Sequence, residues 1–239
     1  MHDFRAGGPG FFRRFAPKTA PRMITLYLIR HAESEGNLNN HLIGGQSNHL
    51  PLTERGYDQA RRLGERLRRE GLRFDALHTS TAVRAAETGR ILASHLDLDP
   101  DALPSSPLLV ELGHGEWEGL VRKDVYTPEL IARLRENPYD FKAPGGESQR
   151  EVEARMWQWL ESAVSAFAPE TDAALAAVTH GMSIRVLIRR LLQADPAMTN
   201  RMVTHNTSIT CLQQIPQGWL LERLNDFAHL AGTEMIGHY

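Results

Sequence analysis

The stretch Leu26-Tyr27-Leu28-Ile29-Arg30-His31-Ala32-Glu33-Ser34 decides how the chain is read. A short apolar, β-prone run stops abruptly on a cation and an imidazole. Such a run, bounded by polar residues, predicts a buried strand over 24–29. In an open α/β sheet, ligands bind beyond the carboxyl ends of the strands. The strand therefore presents Arg30 and His31 to a ligand. Arg offers a planar fork for an anion, and His serves as nucleophile, base or metal ligand. Three later pieces fit the same pattern: Arg84 at a helix start, Glu111 just after an apolar run, and Val178-Thr179-His180-Gly181 after another strand. Two arginines, two histidines and one carboxylate, mostly at strand ends, describe a phosphate site with an acid beside it.

Working outward, further strands are predicted over 74–78, 108–112, 173–178, 208–213 and 219–224. The last two are joined by the Pro216-Gln217-Gly218 turn. Thr53 caps a helix to about residue 69, with Ala60, Leu63 and Leu67 on one face. Others are predicted over 82–95, 128–136 and 183–192. A long one begins at the capping box of Ser148 and Glu151 and runs to Phe167, its core face carrying Val152, Met156, Trp159, Leu160 and Ala163. Residues 33–52 read as a long polar loop. Strands alternating with helices predict a three-layer αβα sandwich with a mostly parallel central sheet. One domain is expected over 23–239, with 120–142 as an insertion over the site. Residues 1–22 are rich in Gly, Pro and Arg and read as a loose basic tail, with Met23 as an alternative start. An Arg-rich targeting peptide is the other reading of that tail, although it lacks an apolar signal-peptide core.

Of 239 residues, 41% are apolar, enough for a sizeable core, and the net charge is −2. That balance gives no global field favouring nucleic acid or a membrane surface. No apolar run reaches the length of about eighteen residues needed for a span. The single cysteine, Cys211, excludes an internal disulfide and fits a reducing, cytoplasmic setting. The histidines show no tight metal-ligand spacing, and Gly44-Gly45 lacks the Lys-Ser/Thr of a P-loop. Neither a metal nor another cofactor is expected.

Arg30-His31-Ala32-Glu33-Ser34 with Asn37 resembles the signature of the histidine phosphatase superfamily, also called phosphoglycerate mutase-like. Pro51-Leu52-Thr53 with Gly56, Arg84 followed by Ala85 and Thr88, Glu111 with Gly115 to Gly119, Pro144 to Ser148, and Thr179-His180-Gly181 are similar to its later motifs. The resemblance covers about 24–225. Ala32, where the family commonly has glycine, is a mild departure. The resemblance implies a phosphoglycerate mutase-like fold and a histidine acid phosphatase-like phosphomonoesterase acting on a small phosphorylated substrate. His31 would be the nucleophile. Arg30 and Arg84 would clamp the phosphoryl oxygens, with His180 as a third donor. Backbone N–H groups from Gly181 onward would lie at a helix N-terminus that welcomes an anion. Glu111 would be proton donor and then base, its acidity weakened by an apolar setting of Leu109, Val110, Leu112 and Trp117. Glu116, Glu118 and Glu33 are the alternative acids, with Glu118 expected to face solvent. Asn37 is expected to contact phosphate or order the loop, Ser34 to contribute more weakly, and Asn206-Thr207-Ser208 to support the pocket. Arg122, Lys123, Lys142, Tyr126 and Tyr139 in the insertion are candidates for the rest of the substrate.

The alternatives are a cofactor-dependent phosphoglycerate mutase and an inactive phospho-ligand binding module. The family's mutases usually carry a longer insertion between acid motif and last helix than the short Glu111-to-Pro144 interval here. An inactive module would be marked by loss of nucleophile or acid, and both residue types are present.

Overall fold

The computed structural model describes residues 23–234. The opening run forms strand β1 (Ile24–Arg30), followed by a single-turn helix α1 (Glu35–Leu38), α2 (Glu54–Arg69), β2 (Ala76–Ser80), α3 (Val83–His95) and the two-residue strand β3 (Ser105–Ser106). Then come α4 (Arg122–Val125), α5 (Pro128–Glu136), α6 (Gln149–Ser165), β4 (Ala173–Thr179), α7 (Gly181–Leu191), β5 (Ile209–Ile215) and β6 (Gly218–Asp226). Successive strand residues face opposite sides, and both sides of β1 are buried. Leu26 and Leu28 pack with Val152, Met156 and Ile184 from α6 and α7. Tyr27 and Ile29 pack with Leu63, Leu67 and Leu92 from α2 and α3. A strand covered on both faces has no polar side to show, which is why its sequence is continuously apolar. The result is the expected three-layer sandwich.

The sheet order is β3-β2-β4-β1-β5-β6. β1 pairs parallel with β4, β4 with β2, and β2 with β3, while β5 and β6 are antiparallel. The carboxyl ends of the four parallel strands meet at one edge. Register sets Arg30 opposite Thr179, and the His31 N–H donates to the Thr179 carbonyl at 2.9 Å. The two strand-end histidines are thereby neighbours.

Four local expectations need correction. Residues 108–112 are not a strand. Pro107 opens a tight 3₁₀ turn over Pro107–Leu109, started by the Leu108 N–H on Ser106 Oγ at 3.2 Å. Proline has no N–H for a ladder, and the carbonyls of Leu108 and Val110 instead accept from the Arg155 guanidinium. Second, β2 lies two residues later than expected, so it ends on Ser80 rather than His78; Phe74 is a core residue with its ring 5.2 Å from Tyr27. Third, α7 starts at Gly181, two residues early. Fourth, the 33–52 loop contains α1 and is pinned by a bridge between Ser34 and Leu52. Residues 120–142 carry α4 and α5, and no residue of either helix is buried. The basic tail over 1–22 lies outside the described residues. Among those described, no helix is long and apolar enough to cross a membrane.

Helix α2 meets the end of β1 at Gly56, where a Cβ would come within 2.0 Å of the Glu33 carbonyl oxygen. Gly56→Ala should therefore destabilise the protein by about 1–3 kcal/mol, as overpacking does. Urea denaturation measures it, and a loss under about 0.5 kcal/mol would mean that the close approach has room to relax.

Candidate active site

His31 is 4% exposed and His180 is fully buried, with ring centroids 4.9 Å apart. His31 Nδ1 lies 2.7 Å from the Ala32 carbonyl, so Nδ1 carries the proton and Nε2 the lone pair. Arg84, in the first turn of α3, donates from Nε to that Nε2 at 3.3 Å and from Nη2 to His180 Nδ1 at 3.2 Å. His180 Nε2 then carries its proton and donates to Ser80 Oγ at 2.9 Å, a partner available because β2 extends to residue 80.

The Arg84 guanidinium is itself gripped. It donates to the carbonyls of Gly45, Gln46 and Ser47 at 3.0–3.3 Å. Glu118, expected at the surface, holds that loop by accepting from the N–H groups of Gln46, Ser47 and His114. The 3₁₀ turn Gly115–Trp117 just before it points the Glu118 side chain back toward that loop. Gly45, at φ 153°, leaves the space: a Cβ would meet Glu118 Oε1 at 2.1 Å.

Burial first, then the charges of Arg84 and Arg30, hold the His31 imidazole well below its ordinary value. Burial, His31 and the arginines do the same to His180. Both rings are neutral at neutral pH.

Arg30 and Glu111 flank Gly181. A Cβ there would lie 3.7 Å from Arg30 Nε and 3.8 Å from Glu111 Oε2, so the cation and the carboxylate approach the same spot. Arg30 Nη1 also donates to the Thr204 carbonyl. Glu111 does not sit in an apolar setting. Its oxygens accept from the N–H groups of Leu112 at 2.9 Å, Met182 at 3.1 Å and Ser183 at 3.3 Å. The α7 N-terminus is a favourable place for acceptor groups, as helix starts are, and the group it holds is the protein's own Glu111 carboxyl.

Ser34 and Asn37 serve each other: the Ser34 N–H and hydroxyl both donate to Asn37 Oδ1, at 3.0 and 3.2 Å. Asn206 joins them and donates to the His31 carbonyl at 2.9 Å, while the Thr207 N–H reaches the carbonyls of Arg30 and His31. Of the alternative acids, Glu33 is buried and ion-paired with Arg55, and Glu116 is exposed. Sequence reasoning missed two residues. Arg155 of α6 donates to the carbonyls of Leu108, Val110 and Glu111 and pairs with Glu147 at 2.8 Å. Glu147 also accepts from the Gly113 N–H at 3.0 Å. The available signal was an arginine between Val152 and Trp159, on the apolar stripe of α6. Among the described residues, no group of three His, Cys, Asp or Glu side chains is placed to hold a metal ion.

The profile of the histidine phosphatase superfamily (branch 1) matches residues 26–227. The chain belongs to this superfamily. Among its relatives is a 2,3-bisphosphoglycerate-dependent phosphoglycerate mutase of Bartonella henselae, 31% identical over 75% of this chain and 88% of the relative. One of the same name from Brucella anthropi is 33% identical over 70% and 81%. The solved structures it resembles include a mycobacterial hydrolase, with TM-score 0.74 and 26% identity over 86% of this chain and 99% of the other. A mycobacterial glucosyl-3-phosphoglycerate phosphatase gives TM-score 0.74 and 25% identity over 85% and 99%. The superfamily's two chemistries, hydrolysis and mutase transfer, thus both occur among the proteins it resembles.

The buried imidazoles set a pH dependence of stability. Their folded pKa values lie below the unfolded value of about 6.5, so the unfolded chain binds protons first as pH falls. Stability is full above about pH 6.5 and is lost below it, each group adding up to about 1.4 kcal/mol per pH unit. Urea denaturation between about pH 6.5 and pH 5 should show this, and His180→Asn should reduce the slope by about one proton. An unchanged slope in that variant would assign the loss to other groups.

Proposed function

We propose that the chain is a phosphomonoester hydrolase that needs no metal and works through a phosphohistidine on His31. The observation that carries this reading is the fixed tautomer: Nδ1–H donates to the Ala32 carbonyl and leaves Nε2 unprotonated, held by the Arg84 Nε–H beside His180. A neutral, oriented imidazole is what attack on phosphorus requires. Nε2 bonds to phosphorus as the phosphorus–oxygen bond to the alcohol breaks, and Glu111 supplies the proton that the departing oxygen takes up. Water then attacks the phosphohistidine, gives its proton to Glu111, and releases inorganic phosphate and free His31. Arg30 and Arg84 stabilise the charge on the equatorial oxygens throughout. His180 accepts from Arg84 at Nδ1 and donates its Nε2 proton to Ser80, so in this arrangement it acts by orienting Arg84 rather than as a third donor to the phosphoryl group. Arg155 and Glu147 act as positioning residues by holding the backbone around Glu111. Residues 120–142 act as a cover over the site, and the lone cysteine supports a cytoplasmic setting.

The second reading is a phosphoglycerate mutase, favoured by the names of the relatives at 31% and 33% identity. Hydrolysis is favoured by the solved phosphatase neighbour and by the short interval from Glu111 to Pro144. Incubation with 3-phosphoglycerate and a trace of 2,3-bisphosphoglycerate separates them: a hydrolase releases inorganic phosphate, and a mutase yields 2-phosphoglycerate.

Rapid quench with a labelled aryl phosphate should trap an acid-labile, base-stable phosphoenzyme in the wild type and none in His31→Ala, with turnover unchanged in excess chelator. Turnover abolished by chelator and restored by one divalent ion would defeat the mechanism. Glu111→Gln should slow phosphoenzyme formation by about 10²- to 10⁴-fold for alkyl phosphates and much less for aryl phosphates, which leave with little protonation. Arg84→Ala should slow both alike. Single-turnover rates make the comparison, and equal losses in Glu111→Gln would remove that residue as the acid.

A further inference from the structure

A cavity of about 190 Å³ lies beside Glu111, between the 112–117 segment and the insertion. Two of its lining residues, Leu112 and Met182, are among the three whose N–H groups hold the Glu111 carboxylate. If Glu111 protonates the departing oxygen, whatever hangs from that oxygen starts next to these two residues and extends into this space. The departing alcohol is the occupant that this adjacency favours, and the inference rests on the hydrolase reading above.

The wall is mostly apolar, with His114, Gln149, Asn200 and the Arg155-paired Glu147 among its polar members. Trp117 forms one side, its ring centroid 5.9 Å from Phe141 and 6.2 Å from Tyr126. Leu134 of α5 contributes from the cover; it is half-buried, and no residue of α5 is fully buried. Three cations around the cavity already have partners, and a fourth, Arg133 of α5, lies over the Phe141 ring. Lys142 is the one Lys or Arg among the described lining residues, and it pairs with Glu151 at 2.8 Å. Arg122 donates to the carbonyls of Asn40 and Leu42 and lies over the Tyr126 ring. Arg150 is paired with Asp140. A leaving group bearing a carboxylate or second phosphate would lose its hydration here against a lining whose one cation is already paired with Glu151, a costly exchange. An apolar or aromatic group would gain contact area with three rings.

We infer that the preferred substrate is a phosphomonoester of an uncharged, apolar or aromatic alcohol, with Trp117 and Phe141 as the residues that determine this specificity.

The test uses the intact protein and three alkyl phosphates whose oxygens depart with similar ease: propyl phosphate, 3-phenylpropyl phosphate and 3-phosphoglycerate. Phosphate release gives kcat/KM for each. The phenylpropyl ester should exceed the propyl ester by about tenfold or more, the share of a ring's burial that survives the costs of binding. 3-Phosphoglycerate should fall below the propyl ester. In Phe141→Ala the phenylpropyl-to-propyl ratio should drop toward one, and in Phe141→Leu it should be partly retained. If Phe141→Ala does not melt cooperatively, Trp117→Leu takes its place, and the wild-type ratios stand on their own. An active enzyme with a ratio near one, or one that favours 3-phosphoglycerate, overturns the inference and leaves the hydrolase reading intact. No turnover and no phosphoenzyme with any of the three overturns both.

Discussion

The in-register parallel pairing of β1 with β4 is the constraint on which the rest of this structure depends. It sets Arg30 beside Thr179 and joins His31 to the Thr179 carbonyl, so two histidines 149 positions apart in sequence end side by side. Buried strands tolerate little slippage, because a one-residue shift would turn Leu26 and Leu28 to the wrong core. The same apolar pattern that specifies the fold therefore also specifies the distance between the imidazoles.

Around that pair the protein concentrates positive charge and then makes it safe. Arg84 is 5% exposed and its donors are spent on three loop carbonyls and two ring nitrogens. A buried guanidinium is tolerable only when its hydrogen bonds are made. Glu118 secures the loop that supplies those carbonyls, and Glu147 with Arg155 secures the irregular segment that carries Glu111. The result is a site whose cations are fixed before any anion arrives. Fixed charge stabilises a developing transition state without reorganising at the moment of reaction.

Much of this was legible in the chain. The apolar run ending in Arg30-His31, the second run ending in Thr179-His180, and the capping box at Ser148 each act through short-range physics: burial, strand period and local hydrogen bonds. The errors came where partners distant in sequence decide. An apolar run at Leu108–Leu112 looks like a strand, but Pro107 and the Arg155 side chain, 47 positions from Leu108, make it a turn. Glu118 looks like a surface acid until residues 72 positions away supply its donors.

The sequence by itself determined the fold class, the strand-end location of His31 and His180, and the kinds of residue that converge there, because periodicity and strand ends are local properties. Only the tertiary structure decided which ring nitrogen is free, what grips Arg84, and that the α7 N-terminus is occupied by Glu111. Those are settled by contacts between distant segments, and their geometry exists only once the sheet has brought the segments together.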